Sequence, residues 1–253
     1  MIIFLVALRK ELLEQRRTHR LLAVAILLIF FGLLSPLSAK YTPELMKMLP
    51  KGAAMAKLVP VPTMMDAAVQ YLKNLSQFGV LLAFLVTMGA VAQEKARGTA
   101  AMMLVKPLPR ATFLGAKFAA LAITFSLSVA AAAVAGFYCT TLLFHAPNPL
   151  RWLAMNVLLV VYIMVPVAIT LLCSVLVKSQ AAAGGLAVAL VIALALIATI
   201  PGFGEYLPGQ LLGWAGGLMA GIPATHWASL FVCLGIISVT LIGAWYSFER
   251  QEL

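Results

Sequence analysis

Six stretches of this chain are long, apolar and free of Lys, Arg, Asp and Glu, at about 21–38, 74–93, 118–144, 152–177, 181–200 and 226–247. A helix rising about 1.5 Å per residue needs roughly 20 such residues to cross a hydrocarbon core. One charge at the centre of such a helix costs at least about 2.5 kcal/mol, so runs this clean belong in a bilayer. Composition agrees: 63% of the 253 residues are hydrophobic and 10% charged, where a soluble domain carries about a quarter charged. The expected fold is all-α and polytopic, a single transmembrane domain over 1–253 with six transmembrane helices.

The formal charge of +10 is distributed in short basic blocks that flank the apolar runs. That pattern fits anionic headgroups and the inside bias of basic loops rather than nucleic acid, so membrane lipids are expected partners and nucleic acid is not. With the N-terminus inside, Arg9 to Arg20, the loop 94–117, Lys178 and Arg250 face the cytoplasm, holding twelve of the eighteen basic residues. Lys40, Lys47, Lys51, Lys57, Lys73 and Arg151 lie opposite. Both termini are then cytoplasmic.

Three segments outside the spans have their own character. Residues 2–20 carry too many charges to span, but Leu5, Leu8 and Leu12 recur at helical spacing, which predicts a helix lying in the membrane interface. Pro43, Pro50, Pro60 and Pro62 predict that the extracytoplasmic segment 40–73 is broken into short helices and turns. Residues 201–225 are apolar and Gly-rich yet punctuated by Pro201, Pro208 and Pro223, which predicts a re-entrant or interface-lying segment.

The loop 94–117 is longer than a helix hairpin requires. Glu94 and Arg97 lie one turn apart and can pair on a helix leaving the second span. Gly98-Thr99 interrupts that helix, and Thr99 can cap a new one bearing Met102, Met103 and Leu104 before Pro107 and Pro109 end it. Arg110 and Lys117 bracket the start of the third span. Physically, such a segment either docks its Met/Leu patch in a groove on a soluble partner or merely fixes topology.

The pattern Glu94-x-x-x-Gly98-Thr99, Pro107-x-x-Arg110 and then Lys117 resembles the cytoplasmic-loop signature of ABC-2 type transporter permeases. The resemblance extends to a basic interfacial helix, six spans and an apolar segment before the last one. It departs at Ala100 and Ala101, where many members carry an acidic residue. It implies the membrane subunit of an exporter in the cell inner membrane, with two permease copies, as a homodimer, and two ABC ATPase subunits. Glu94, Arg97, Gly98, Thr99, Met103, Leu104, Pro107, Arg110 and Lys117 are then the coupling interface. ATP and Mg belong to the partner ATPase; Gly-Lys, required in a phosphate loop, does not occur in this chain. The alternative is a secondary transporter or channel acting without an ATPase.

Gly184 and Gly185 sit among alanines in the fifth run, suited either to a permease–permease contact or to packing inside one subunit. Gln77 and Asn156 are candidates for a substrate path, or for bonds to a neighbouring helix. The apolar walls admit a lipid, a hydrophobic peptide or an antibiotic alike. Cys139, Cys173 and Cys233 read as buried small hydrophobes, and the scattered His19, His145 and His226 offer no metal-ligand spacing. No pair of acids suits acid–base chemistry, so a non-catalytic subunit is expected.

Overall fold

The computed structural model describes residues 2–47, 61–96, 109–222 and 226–251, and these form an all-helical bundle. In chain order the helices are α1 (Ile2–Arg17), α2 (Arg20–Lys47), α3 (Met64–Thr87), α4 (Ala92–Ala96), α5 (Arg110–Leu143), α6 (Pro149–Leu176), α7 (Gln180–Ile197), α8 (Gly209–Ala220) and α9 (Trp227–Glu249). Among the described residues, six candidate spans are long and apolar enough to cross a membrane: α2, α3 continued through α4, α5, α6, α7 and α9. The chain is a multi-pass membrane protein.

The helices outrun the apolar stretches that signal them. α3 starts at Met64, ten residues before the charge-free run, because Thr63 and Asp66 build a capping box: the Thr63 amide donates to Asp66 Oδ2 at 2.8 Å, and the Asp66 amide returns a bond to Thr63 Oγ1 at 3.4 Å. α5 begins at Arg110 and runs 34 residues. α2 runs through Pro36 and continues to Lys47 through Pro43, the first of the prolines expected to break the 40–73 segment. Pro36 deprives the Gly32 carbonyl of its helical donor. That oxygen lies against Gly136 of α5, where a Cβ would come within 3.3 Å of it.

α6 is the centre of the bundle. Its most apolar window is 72% buried, against 17% for α7 and for α9. Lipid is as apolar as leucine, so what specifies such packing is close approach and polar bonds between helices. Both are present. α2 and α5 make the most extensive helix pair, and a Cβ on Gly32 would meet the Ala132 carbonyl oxygen at 2.9 Å. The fully buried Tyr71 hydroxyl donates to Asn156 Oδ1 at 2.7 Å, Asn156 Nδ2 to the Trp152 carbonyl at 2.9 Å, and Trp152 Nε1 to the Ala133 carbonyl at 3.0 Å. This chain of bonds ties α3, α6 and α5 together.

α8 has 12 residues, about 18 Å at helical rise and too short to cross. It buries Leu211, Trp214, Ala215 and Met219 and packs mainly on α6. Gly221 ends it in the left-handed region (φ 76°), where the Ile222 amide reaches back to the Gly217 carbonyl at 3.0 Å.

Candidate functional site

One end of the bundle, called the near end here, gathers the charged residues that the apolar interior excludes. Lys117 lies two turns into α5 and is 3% exposed. Its ammonium donates to Glu94 Oε1 of α4 at 2.8 Å and to both oxygens of Glu11 of α1, at 3.2 and 3.1 Å. Lys10 adds Glu11 at 3.0 Å, Glu14 at 3.4 Å and Glu94 at 3.7 Å. Burial acts against the Lys10 charge, but Glu11 first, with Glu94 and Glu14, outweighs it and holds the Lys10 pKa above its ordinary value.

These groups line a cleft of about 260 Å³ between α1, α4 and α5, which Arg20 also enters. Three carboxylates and three basic side chains face it, so the lining is balanced in formal charge. Oxygens of Glu11, Glu14 and Glu94 lie within 4.8 Å of one another. The two lysine ammonium groups stand among them in the place a cation would occupy, and the arrangement is an ion-pair network joining three helices. Two further bonds hold α1 and α2 in register with it: Thr124 Oγ1 donates to Gln15 Oε1, and Arg20 Nη2 to Gln93 Oε1 at 3.3 Å.

The Glu94 stem is itself a built feature. The helix breaks between Thr87 and Ala92, exposing backbone groups that a helix end leaves without partners. Ser174 of α6 takes up three of them: its Oγ accepts from the Val91 and Ala92 amides at 3.0 and 2.9 Å and donates to the Met88 carbonyl at 3.0 Å.

Of the predicted coupling residues, Glu94 and Lys117 are in direct contact, and Arg110 lies at the same end, with Nη1 donating to the Phe248 carbonyl at 2.7 Å. Arg97, Gly98, Thr99, Met103, Leu104 and Pro107 lie outside the described residues. Gly184 packs inside the subunit, where a Cβ would meet Met88 Sδ at 3.0 Å, while nothing lies within 4 Å of a Cβ on Gly185. Asn156 is buried and spends its amide on Tyr71 and Trp152. Gln77 is exposed on the outer surface of α3. Sequence reasoning left Lys10, Glu11 and Glu14 unassigned. The available signal was one acid and one base flanking the 94–117 loop opposite a helix with Lys10 and Glu14 at i,i+4 spacing.

The family model described as "ABC-2 family transporter protein" matches residues 5–209, from α1 to the start of α8. Over 257 aligned residues the chain is 26% identical to the "Uncharacterized transmembrane protein YxlG" of Bacillus subtilis (strain 168), covering 99% of this chain and 98% of that protein. Both alignments include α1 as well as the 94–117 flanks, so the ion-paired near end lies wholly within the matched region. This chain, with six apolar helices and that charged end, belongs to the ABC-2 transporter family.

Proposed function

We propose that the chain is the permease subunit of an ATP-driven exporter, working as two permeases with two copies of a separate ATPase. Residues 94–117 lie on the cytoplasmic side and receive the ATPase there. The observation that carries this reading is the triad Glu11–Lys117–Glu94, with Glu11 and Lys117 buried, which binds both flanks of residues 97–108 to α1. A turn that only fixed topology would keep its charges in water. Burying them costs several kcal/mol per ion unless partners compensate, so a paired, buried network suits a segment that must hold its geometry under load.

In this mechanism ATP and Mg bind the partner, and closure of the ATPase dimer displaces the 97–108 segment. Glu94 and Lys117 pass the displacement to α1 and α5 as one unit, and the spans rearrange as rigid bodies. The open flank of α7 at Gly185 and its outward apolar side chains are the surface for the second permease.

The test is purification of the tagged full-length chain with its candidate ATPase in mild detergent. A 1:1 complex is expected, whose ATP hydrolysis differs from that of the ATPase alone. Leu104→Glu should release the ATPase while the permease stays folded. A chain that retains no ATP-hydrolysing partner, or a complex indifferent to Leu104→Glu, would sink the proposal and favour transport without an ATPase.

A further inference from the structure

Both flanks of residues 97–108 also reach a second target, the end of α9 and Gln251 just beyond it. From the α5 side, Arg110 Nη1 donates to the carbonyls of Phe248 (2.7 Å), Glu249 (2.8 Å) and Gln251 (3.1 Å). The first two are oxygens that the end of α9 leaves without donors, and a cation there is doubly favoured by charge-assisted bonding and by the helix dipole. From the α4 side, Lys95 Nζ donates to Gln251 Oε1 at 2.5 Å and to the Val175 carbonyl at the end of α6. Gln251 Nε2 donates to that same Val175 carbonyl at 3.1 Å.

Gln251 therefore meets three elements at once: α4 through its side-chain oxygen, α5 through its backbone oxygen and α6 through its amide nitrogen. Beneath it Phe248 is fully buried and stacked on Phe113 of α5, with centroids 5.5 Å apart and planes 9° apart. Arg110 and Lys95 approach the same ring, at 5.7 and 6.0 Å. Elsewhere α9 is among the least buried spans, and apart from α6 it has only minor packing partners. Its tie to α4 and α5 is concentrated in these few residues.

We infer that Lys95, Arg110, Phe248 and Gln251 are positioning residues that clamp both flanks of residues 97–108 to α9 and to the end of α6, so that the flanks and the last span move as one body. The role in transport rests on the reading above, in which an ATPase acts on that segment. The clamp itself is measurable on the permease alone.

The experiment uses the full-length chain with Cys139, Cys173 and Cys233 replaced by alanine and a spin label at exposed Ala96 or, separately, at outward-facing Val239 of α9. In the permease alone, Gln251→Leu should raise the mobility of the Ala96 label; unchanged mobility overturns the inference. In the complex with its ATPase, trapping with ATP and vanadate should alter the Val239 signal in the parent and not in Gln251→Leu. A response present in the parent and equally large in Gln251→Leu overturns it. Joining Lys95→Cys to Gln251→Cys with a short bis-thiosulfonate should restore the response, as loss of fold would not allow, and a cross-link that fails to restore it counts against one-body motion. Should Gln251→Leu free the Ala96 label while ATP moves nothing in the parent, the clamp stands and the ATPase reading falls.

Discussion

Lys117 is the side chain on which the near end turns. It is buried, and two carboxylates from two other helices close on it at 2.8 to 3.2 Å. Replacing it with methionine keeps the stem but removes the buried cation between Glu11 and Glu94, leaving them the more exposed Lys10 in this network. Removing one partner of a buried pair costs about 3–5 kcal/mol. Lys117→Met should therefore lower the unfolding temperature in detergent, read with a thiol-reactive dye that reports exposure of the three buried free cysteines. Adding Glu94→Gln should recover part of the loss, since the two changes touch one network and are not additive. An unfolding temperature within error of the parent would show that the pairing does not bear on stability. None of this triad was legible as a contact in the sequence. Glu11 and Lys117 stand 106 positions apart, and no period or spacing rule links them. What was legible was their rarity: a charge beside an apolar run has few places to go.

At the scale of elements, the existence of the six spans was readable because a charge-free run of that length has no other physical home. Their ends were less so, because a helix stops where its backbone loses partners and not where its side chains turn polar. Thr63-x-x-Asp66 marked the true start of α3, and polar residues following it masked the signal. The interruption between α3 and α4 had no mark at all, since the group that stabilises it, Ser174, comes from α6. Ser174→Ala leaves the Val91 and Ala92 amides buried without an acceptor, a loss of about 1–3 kcal/mol per group. Hydrogen exchange over residues 88–96 should accelerate in that variant while exchange in the middle of α6 stays slow. Equal protection in both proteins would mean that water or another group replaces the hydroxyl.

For the whole molecule, six spans place Arg151 and Lys178 at opposite ends of α6, both exposed. With the near end cytoplasmic, a membrane-impermeant thiol reagent added to intact cells should label Arg151→Cys and spare Lys178→Cys until the membrane is permeabilised. The reverse pattern would invert the proposed orientation and remove residues 94–117 from any cytoplasmic ATPase. The grouping of Glu94, Arg110 and Lys117 at one end of the bundle was the most legible part of the candidate site, through their spacing around one loop. Its attachment to α1 and α9 was the least, because it is made by residues far apart in the chain.

The length of α5 has a mechanical consequence. Its 34 residues contain no proline, and at about 1.5 Å per residue they form a stiff rod of about 51 Å. Arg110 and Lys117 ride on one end; Gly136, with the Tyr71 ring pressed against it, rides near the other. A tilt of about 5° around the middle of such a rod would swing each tip by roughly 2 Å, in opposite senses. That is comparable to the 1–2 Å helix shifts by which packed interfaces change state. Leverage of this kind lets a small displacement on one face of a bilayer be answered on the other without any side chain carrying a signal between them.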